Sequence, residues 1–304
     1  MPLTVSIYAG PPAGKGYYLP SAGRYLTVQV GSVNCAISSD DNRVHDRLKR
    51  IYVDFLTERP ADLTIALETK QPHSHVHAAE DEVHSGPAGD ESARRPDQHR
   101  LLNVDLEWSP AAPDLQFKEL NYLLALGYYT VCQQKYQGKP PAMLVHACGI
   151  LRQGRASVFA GPSDGGKTTI ARLCGGNGEL INDEMLLISR LDADGYGMNV
   201  QGTPMIGGFL PRLNIKAPLG GIFLLKKGNK TQLRPLERID SYLRFLRQII
   251  TPSHIGQTNF RSALSLMADF ANEVTGSMPV YELEFNMERD PLWRVIGEFE
   301  GTPV

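Results

Sequence analysis

Ala156-Ser157-Val158-Phe159-Ala160, Gly161-Pro162-Ser163-Asp164-Gly165-Gly166-Lys167-Thr168 and Thr169-Ile170-Ala171-Arg172-Leu173 follow one another without a gap. They read as a short β-prone run, a glycine-rich loop and the opening of a helix. The loop matches G-x-x-x-x-G-K-[ST] in full, with the strand before it and the helix after it that this pattern needs. Gly161, Gly165 and Gly166 permit close backbone approach and unusual dihedrals. Successive amide hydrogens can then turn onto a phosphate, helped by the positive end of the following helix. In that arrangement Lys167 reaches the terminal phosphates and the Thr168 hydroxyl faces magnesium. The expected ligand is ATP or GTP with Mg2+, held by Gly161, Pro162, Ser163, Asp164, Gly165, Gly166, Lys167, Thr168 and Thr169. A glycine-rich turn without a ligand is the plainer alternative, against which the lysine and hydroxyl stand in register. The motif alone does not choose between a kinase, a hydrolase and a conformational switch.

Downstream, Leu180-Ile181-Asn182-Asp183-Glu184-Met185-Leu186-Leu187-Ile188 sets an acidic pair at the edge of an apolar strand. One carboxylate can engage magnesium directly or through water. The other can orient or deprotonate the group that attacks the terminal phosphate. Acidic residues also end ordinary strands, so the pair gains its meaning from the loop upstream.

Working outward, Ala142 to Ala147, Ala156 to Ala160, Leu180 to Ile181, Met185 to Ile188 and Ile222 to Leu225 are expected strands. Ser241 to Ile250 and Ser262 to Glu273 read as helices, while Val280 to Phe285 and Trp293 to Phe299 read as closing strands. Toward the N-terminus, Leu3 to Tyr8, Tyr25 to Val30, Ser32 to Ser38 and Asp62 to Leu67 suggest a small β-rich module, with turns across Gly10 to Pro20. Leu115 to Val131 reads as a helix with Leu120, Leu123, Leu124 and Tyr128 on one stripe. Residues 72–100 hold almost no large apolar side chains and are expected to form a mobile insertion. Within it His73, His75 and His77 would share one face of a strand, a metal-binding spacing that solvated low-complexity sequence explains better. The polar stretch Gln133 to Pro141 divides an N-terminal α+β domain, 1–135, from a catalytic domain, 136–304.

The chain has 304 residues, 42% apolar, with 31 basic and 33 acidic side chains and a formal net charge of -2. That near balance argues against a nucleic-acid-gripping surface. Four scattered cysteines form no CxxC pair and read as reduced, buried thiols. No secretion signal or membrane-length apolar run is present, which makes a cytoplasmic protein without a membrane partner the expectation.

The order of motifs resembles the catalytic domain of the bacterial HPr kinase/phosphorylase family. The likeness rests on Val145-His146-Ala147-Cys148-Gly149, on Gly161 to Thr168 and on Asn182-Asp183-Glu184, and covers roughly Met143 to Phe245. It implies an α/β fold with an HPr-kinase/PEP-carboxykinase-like P-loop core beside a smaller β-rich N-terminal domain. It implies transfer of a γ-phosphate to a hydroxyl of a peptide, a protein or a small molecule. Asp183 matches the family's acid–base position, and His146 a histidine near the reacting phosphate. Glu184 stands where the family has a second aspartate, so Thr168, Asp183 and Glu184 become the implied metal ligands, with Lys167 on the phosphates. The segment tied to phosphorolysis has no recognisable counterpart, so kinase activity carries over more safely than phosphorylase activity, which stays open. The family's assembly implies self-association. From the residues alone, Arg212 offers a planar donor fork for an anionic substrate, although a surface loop with one solubilising arginine explains it as well. A nucleotide-binding regulatory module and an NTP hydrolase stay open as alternatives.

Overall fold

The computed structural model describes residues 2–9, 24–69, 100–107, 116–137, 139–191, 197–209, 212–250, 260–286 and 288–301. Five strands form the first sheet: β1 (Pro2–Ala9), β2 (Arg24–Val30), β3 (Val33–Ser39), β4 (Leu63–Thr69) and β5 (Arg100–Glu107), in the order β2-β3-β4-β1-β5. Gly31 and Ser32 close the β2–β3 hairpin, where the first turn position needs a positive φ and Gly31 supplies one of 59°. β3 and β4 pair in parallel, which requires a crossover, and helix α1 (Asn42–Ile51) lies within it. Asp41 caps α1 by accepting the Arg43 amide, and Val44 and Leu48, one helical turn apart, are its buried side chains.

Helix α2 (Gln116–Lys135) departs from the single stripe read in the sequence. From Leu123 to Tyr129 every residue is buried, because the helix has protein on more than one side. Gly127 packs on Leu63 and Cys35 of the first sheet. The Tyr128 hydroxyl donates to the Ala142 carbonyl at 2.8 Å, and the Tyr129 hydroxyl donates to Ile250 and accepts from the Leu144 amide.

A curled nine-stranded sheet follows. Its strands are β6 (Ala142–Val145), β7 (Ala147–Arg152), β8 (Arg155–Ala160), β9 (Glu179–Asn182), β10 (Leu186–Arg190), β11 (Met198–Gly202), β12 (Lys216–Lys227), β13 (Gln232–Pro235) and β14 (Val280–Phe285). They run β6-β10-β11-β12-β8-β7-β9, with β14 on β12 and β13 on β14. The twelve-residue β12 lets the sheet curl by changing partners along its length: Lys216–Pro218 pair with β11, and Ile222–Lys227 with β14. Helices α3 (Lys167–Leu173), α4 (Arg238–Leu246), α5 (Phe260–Ser277) and α6 (Arg289–Glu300), with a short 3-10 helix at Val53–Phe55, complete the described elements. The result is a mixed α/β fold. One apolar cluster runs through both sheets, from Ile7 and Val28 to Val158 and Leu224. A second, built on Phe159, Phe223, Phe285 and Trp293, joins the curled sheet to α3 and α6.

Several expectations are corrected. Trp293 to Phe299 is helix, not strand: Leu292, Trp293 and Ile296 are buried with helical spacing, and Pro291 falls in the first turn, where its missing amide costs nothing. The run from Ala142 to Ala147 is two strands, broken at His146, whose amide bonds to the Gln248 carbonyl. The helix expected to reach Ile250 ends at Leu246, and Ile249 instead bridges to Val145. α1, β5, β11 and β13 are additions. The insertion at 72–100 apart from Arg100, the His73, His75 and His77 spacing, and the turns over Gly10 to Pro20 lie outside the described residues. Among the described residues, no helix is long and apolar enough to cross a membrane.

Candidate functional site

Strand direction brings the three motif segments to one edge of the curled sheet. β7 is antiparallel to both β8 and β9, with Ala147 opposite Ala160 and Gly149 opposite Asn182. The ends of β8 and β9 and the beginning of β7 therefore fall together. Gly161 follows β8, Asp183 follows β9, and His146 precedes β7.

The glycine-rich loop closes on itself through Lys167. This side chain is 6% exposed, and Nζ donates to the carbonyls of Gly161 at 2.8 Å and Pro162 at 3.0 Å. Gly166 caps α3 with φ of 106°, and a β-carbon there would lie 2.5 Å from the ring of Phe285, so conformation and space both require glycine. Asp164 also has positive φ, at 62°, a conformation aspartate tolerates better than most residues. Pro162, Ser163, Asp164 and Thr168 are exposed, while Thr169 is half-buried. Burial lowers the Lys167 pKa, and the charges of Glu184 and Asp164 oppose that shift.

The acidic turn is organised by Asn182, which is fully buried. Its Oδ1 accepts the amides of Glu184 (2.7 Å) and Met185 (3.1 Å), and its Nδ2 donates to the carbonyls of Thr203 and Met205, both at 2.9 Å. One side chain thus fixes the turn carrying Asp183 and ties it to the loop spanning 203–209. Asp183 is 2% exposed. Its Oδ2 accepts the Gly208 amide at 2.7 Å, while Oδ1 is buried without a hydrogen-bond partner. Burial raises its pKa, and the amides of Gly208 and Phe209 pull the other way. A β-carbon on Gly207 would stand 2.1 Å from Oδ1; one on Gly208 would touch Asp183 at 3.4 Å and Thr168 at 3.5 Å. The Gly207–Gly208 turn therefore lies directly against Asp183 and borders Thr168.

His146 Nε2 is 3.9 Å from Glu184 Oε2. Burial, reinforced by the Lys167 charge, holds the imidazole pKa down at about 4. At neutral pH the ring is uncharged, so this is a polar contact rather than an ion pair. Beneath the site, burial pushes the Cys148 thiol well above its ordinary range, with the Asp183 charge adding to the shift.

Arg212 belongs neither to a surface loop nor to an open anion site. It is 2% exposed; Nη1 donates to the Pro204 carbonyl and Nη2 to the Ile51 carbonyl. Its guanidinium lies 5.8 Å from the ring centre of Tyr52 and 6.0 Å from that of Phe55. The sequence reading missed Asn182, Asn121 and the Gly207–Gly208 turn as organisers. Their signals were present: an asparagine beginning the acidic turn, a lone asparagine in a leucine-rich helix, and a glycine pair in a segment read only as flexible.

Among the described residues, no group of three or more His, Cys, Asp or Glu side chains is arranged to hold a metal ion. Thr168, Asp183 and Glu184 offer a hydroxyl and two carboxylates instead. Comparison of the chain with protein-family models and with curated proteins finds no match.

Proposed function

We propose that this chain transfers the γ-phosphate of ATP or GTP to a hydroxyl group, on a core of the HPr-kinase/PEP-carboxykinase kind. The observation that carries the reading is the sharing of Gly208 as neighbour by Thr168, of a complete G-x-x-x-x-G-K-[ST] loop, and by the buried carboxylate of Asp183. The acceptor is a serine of a peptide or protein, or a small hydroxylated metabolite.

The acceptor oxygen attacks the γ-phosphorus, its proton passes to Asp183, and the bridging oxygen leaves with the nucleoside diphosphate. A raised pKa suits Asp183 to take that proton, because a stronger base gains more from the transfer. Its unpartnered Oδ1 is the free accepting atom. Reaching it requires the backbone at Gly207 to move off Oδ1 while the Gly208 amide keeps its bond to Oδ2, and the absence of a side chain at Gly207 keeps the movement small. Lys167 exchanges the Gly161 and Pro162 carbonyls for phosphate oxygens, and exposed Thr168 and the loop amides face the same anion. His146, neutral at physiological pH, donates a hydrogen bond to the phosphoryl group or to Glu184. Thr168, Asp183 and Glu184 are hard oxygen donors, a set whose chemistry fits magnesium, and they would hold it while leaving the Asp183 Oδ1 to receive the proton. When bound, that ion supplies neutralising charge at the β- and γ-phosphates.

The test is incubation with γ-labelled ATP and magnesium, with cell extract as the source of acceptors. Label is expected in a macromolecule or small metabolite. Asp183→Asn is expected to bind nucleotide and lose transfer; equal transfer by this variant overturns the base role. Normal nucleotide use by Lys167→Ala overturns the loop assignment. A second reading, a nucleotide-binding regulatory module, is favoured by the depth of Asp183 beneath its glycine turn. Binding with all label retained in the nucleotide supports that reading, whereas label released as free phosphate marks an NTP hydrolase.

A further inference from the structure

The 203–209 loop that lies against Asp183 does not hold itself in place. Asn121 on α2 is 2% exposed and makes a paired contact with it: Nδ2 donates to the Ile206 carbonyl at 2.8 Å, and Oδ1 accepts the Ile206 amide at 2.7 Å. A side-chain amide thereby satisfies both backbone groups of one residue, as a neighbouring strand would. Gly207 and Gly208 come next in the chain. Two residues on the other side of Ile206, the Pro204 carbonyl accepts from Arg212, whose second nitrogen donates to the Ile51 carbonyl at the end of α1. The rings of Tyr52 and Phe55 flank the guanidinium. Both anchors of the loop thus lead into the N-terminal half.

From this geometry we infer that Asn121 and Arg212 are positioning residues, clamping the 203–209 loop to α2 and to the end of α1 so that Gly208 holds Asp183 in its working orientation. The N-terminal half is then part of the reaction apparatus without touching the reacting atoms. Asn121 fits Ile206 with one donor and one acceptor, which explains a buried amide at the start of the apolar run Leu120 to Tyr129. Arg212 spans two carbonyls with its planar fork, which a lysine cannot reproduce. Its charge also acts on Asp183 in the direction that favours the carboxylate, opposing the effect of burial.

The inference rests on the reading of Asp183 as the acid–base group, and the experiment separates the two. In the full-length wild-type chain, native-state hydrogen exchange is expected to protect the Ile206 and Gly208 amides together. Exchange of either at the rate of an open loop overturns the clamp without any variant. Asn121→Asp keeps the acceptor for the Ile206 amide but turns an oxygen toward its carbonyl. Arg212→Lys keeps the charge but loses the bridge. In whichever variant folds, the 203–209 segment is expected to exchange about tenfold faster, the size set by one buried hydrogen bond. The carboxyl carbon resonance of Asp183 is expected to move, and kcat to fall about tenfold or more with the nucleotide KM unchanged. Unaltered exchange and kcat in a folded variant overturn the clamp and leave the kinase reading intact. A wild-type chain that transfers no phosphate, yet shows the protection and its loss in the variants, overturns the kinase reading and leaves the clamp.

Discussion

Replacing Gly207 by alanine adds one methyl group at the point where the chain lies against Asp183. The new β-carbon would stand 2.1 Å from Oδ1, 2.5 Å from Cγ and 2.8 Å from Oδ2. A carbon–oxygen contact settles near about 3.3 Å, so turn and carboxylate must part by about 1.2 Å. Asp183 is braced from below by the bonds of Asn182, and the turn is the part that yields. Its retreat stretches the 2.7 Å bond from the Gly208 amide, leaving the carboxylate with neither its donor nor its orientation. Misplacement on this scale costs about 100-fold in rate, while the overpacking costs about 1–3 kcal/mol of stability. Gly208→Ala is the internal comparison. Its methyl would meet Asp183 and Thr168 at 3.4 and 3.5 Å, ordinary contact, so its stability is expected to stay within about 0.5 kcal/mol of wild type. The assay is steady-state transfer beside urea unfolding, with nucleotide affinity measured separately because the loop at Lys167 is untouched. Wild-type or faster transfer by Gly207→Ala would refute the reasoning, since the turn would then play no part in aligning Asp183.

Three further outcomes are expected. His146 has its pKa held near 4 against an ordinary 6.5, so below pH 6.5 the unfolded chain takes up a proton that the folded chain refuses. Stability is therefore expected to fall between pH 6.5 and 4, by about 1–2 kcal/mol once solvent screening of this quarter-exposed ring is allowed for; urea midpoints across that range should be flatter for His146→Gln. Asn182→Ala orphans two buried carbonyls and two half-buried amides, and chemical denaturation is expected to show a loss of about 3 kcal/mol or more; a loss below about 1 kcal/mol contradicts the role given to this side chain. Trp293→Phe removes the indole bond to the Leu173 carbonyl and weakens the Arg152 stacking contact, and thermal melting is expected to report about 1–2 kcal/mol.

Much of the curled sheet was legible because its strands carry local signals. Ala156 to Ala160 and Val280 to Phe285 are apolar runs bounded by turn residues, and the glycines at 161, 165 and 166 are dictated by the loop they build. Trp293 to Phe299 misled because its apolar residues also satisfy a period of two; only packing against α3 and the sheet selects the helical alternative. Arg212 misled for the opposite reason. Its neighbours Pro211 and Asn214 look like loop, and nothing local records that the Ile51 carbonyl, 161 positions earlier, accepts its hydrogen bond. Asn121 shows the same limit: the residue stands out in its helix, but its partner is fixed only by tertiary structure. Of the candidate site, the glycine-rich loop and the acidic pair stand out in the sequence by themselves, while His146 enters only through the family resemblance. The groups that hold them still could not be read there, because they act through long-range hydrogen bonds.

The burial of α2 has a consequence for how the molecule comes apart. A polar break at 133–141 looks like a place to divide the chain, yet the helix before it sets Gly127 on the first sheet and engages Ala142, Leu144 and Ile250 through Tyr128 and Tyr129. A fragment beginning at 136 would present those groups to water, and one ending at 135 would carry a helix with a bare apolar flank. The larger apolar cluster would be divided between the pieces, leaving the C-terminal one only the cluster built on Phe159, Phe223, Phe285 and Trp293. The two halves should melt as one, so any proteolytic or genetic separation at that break would yield partners that need each other to fold.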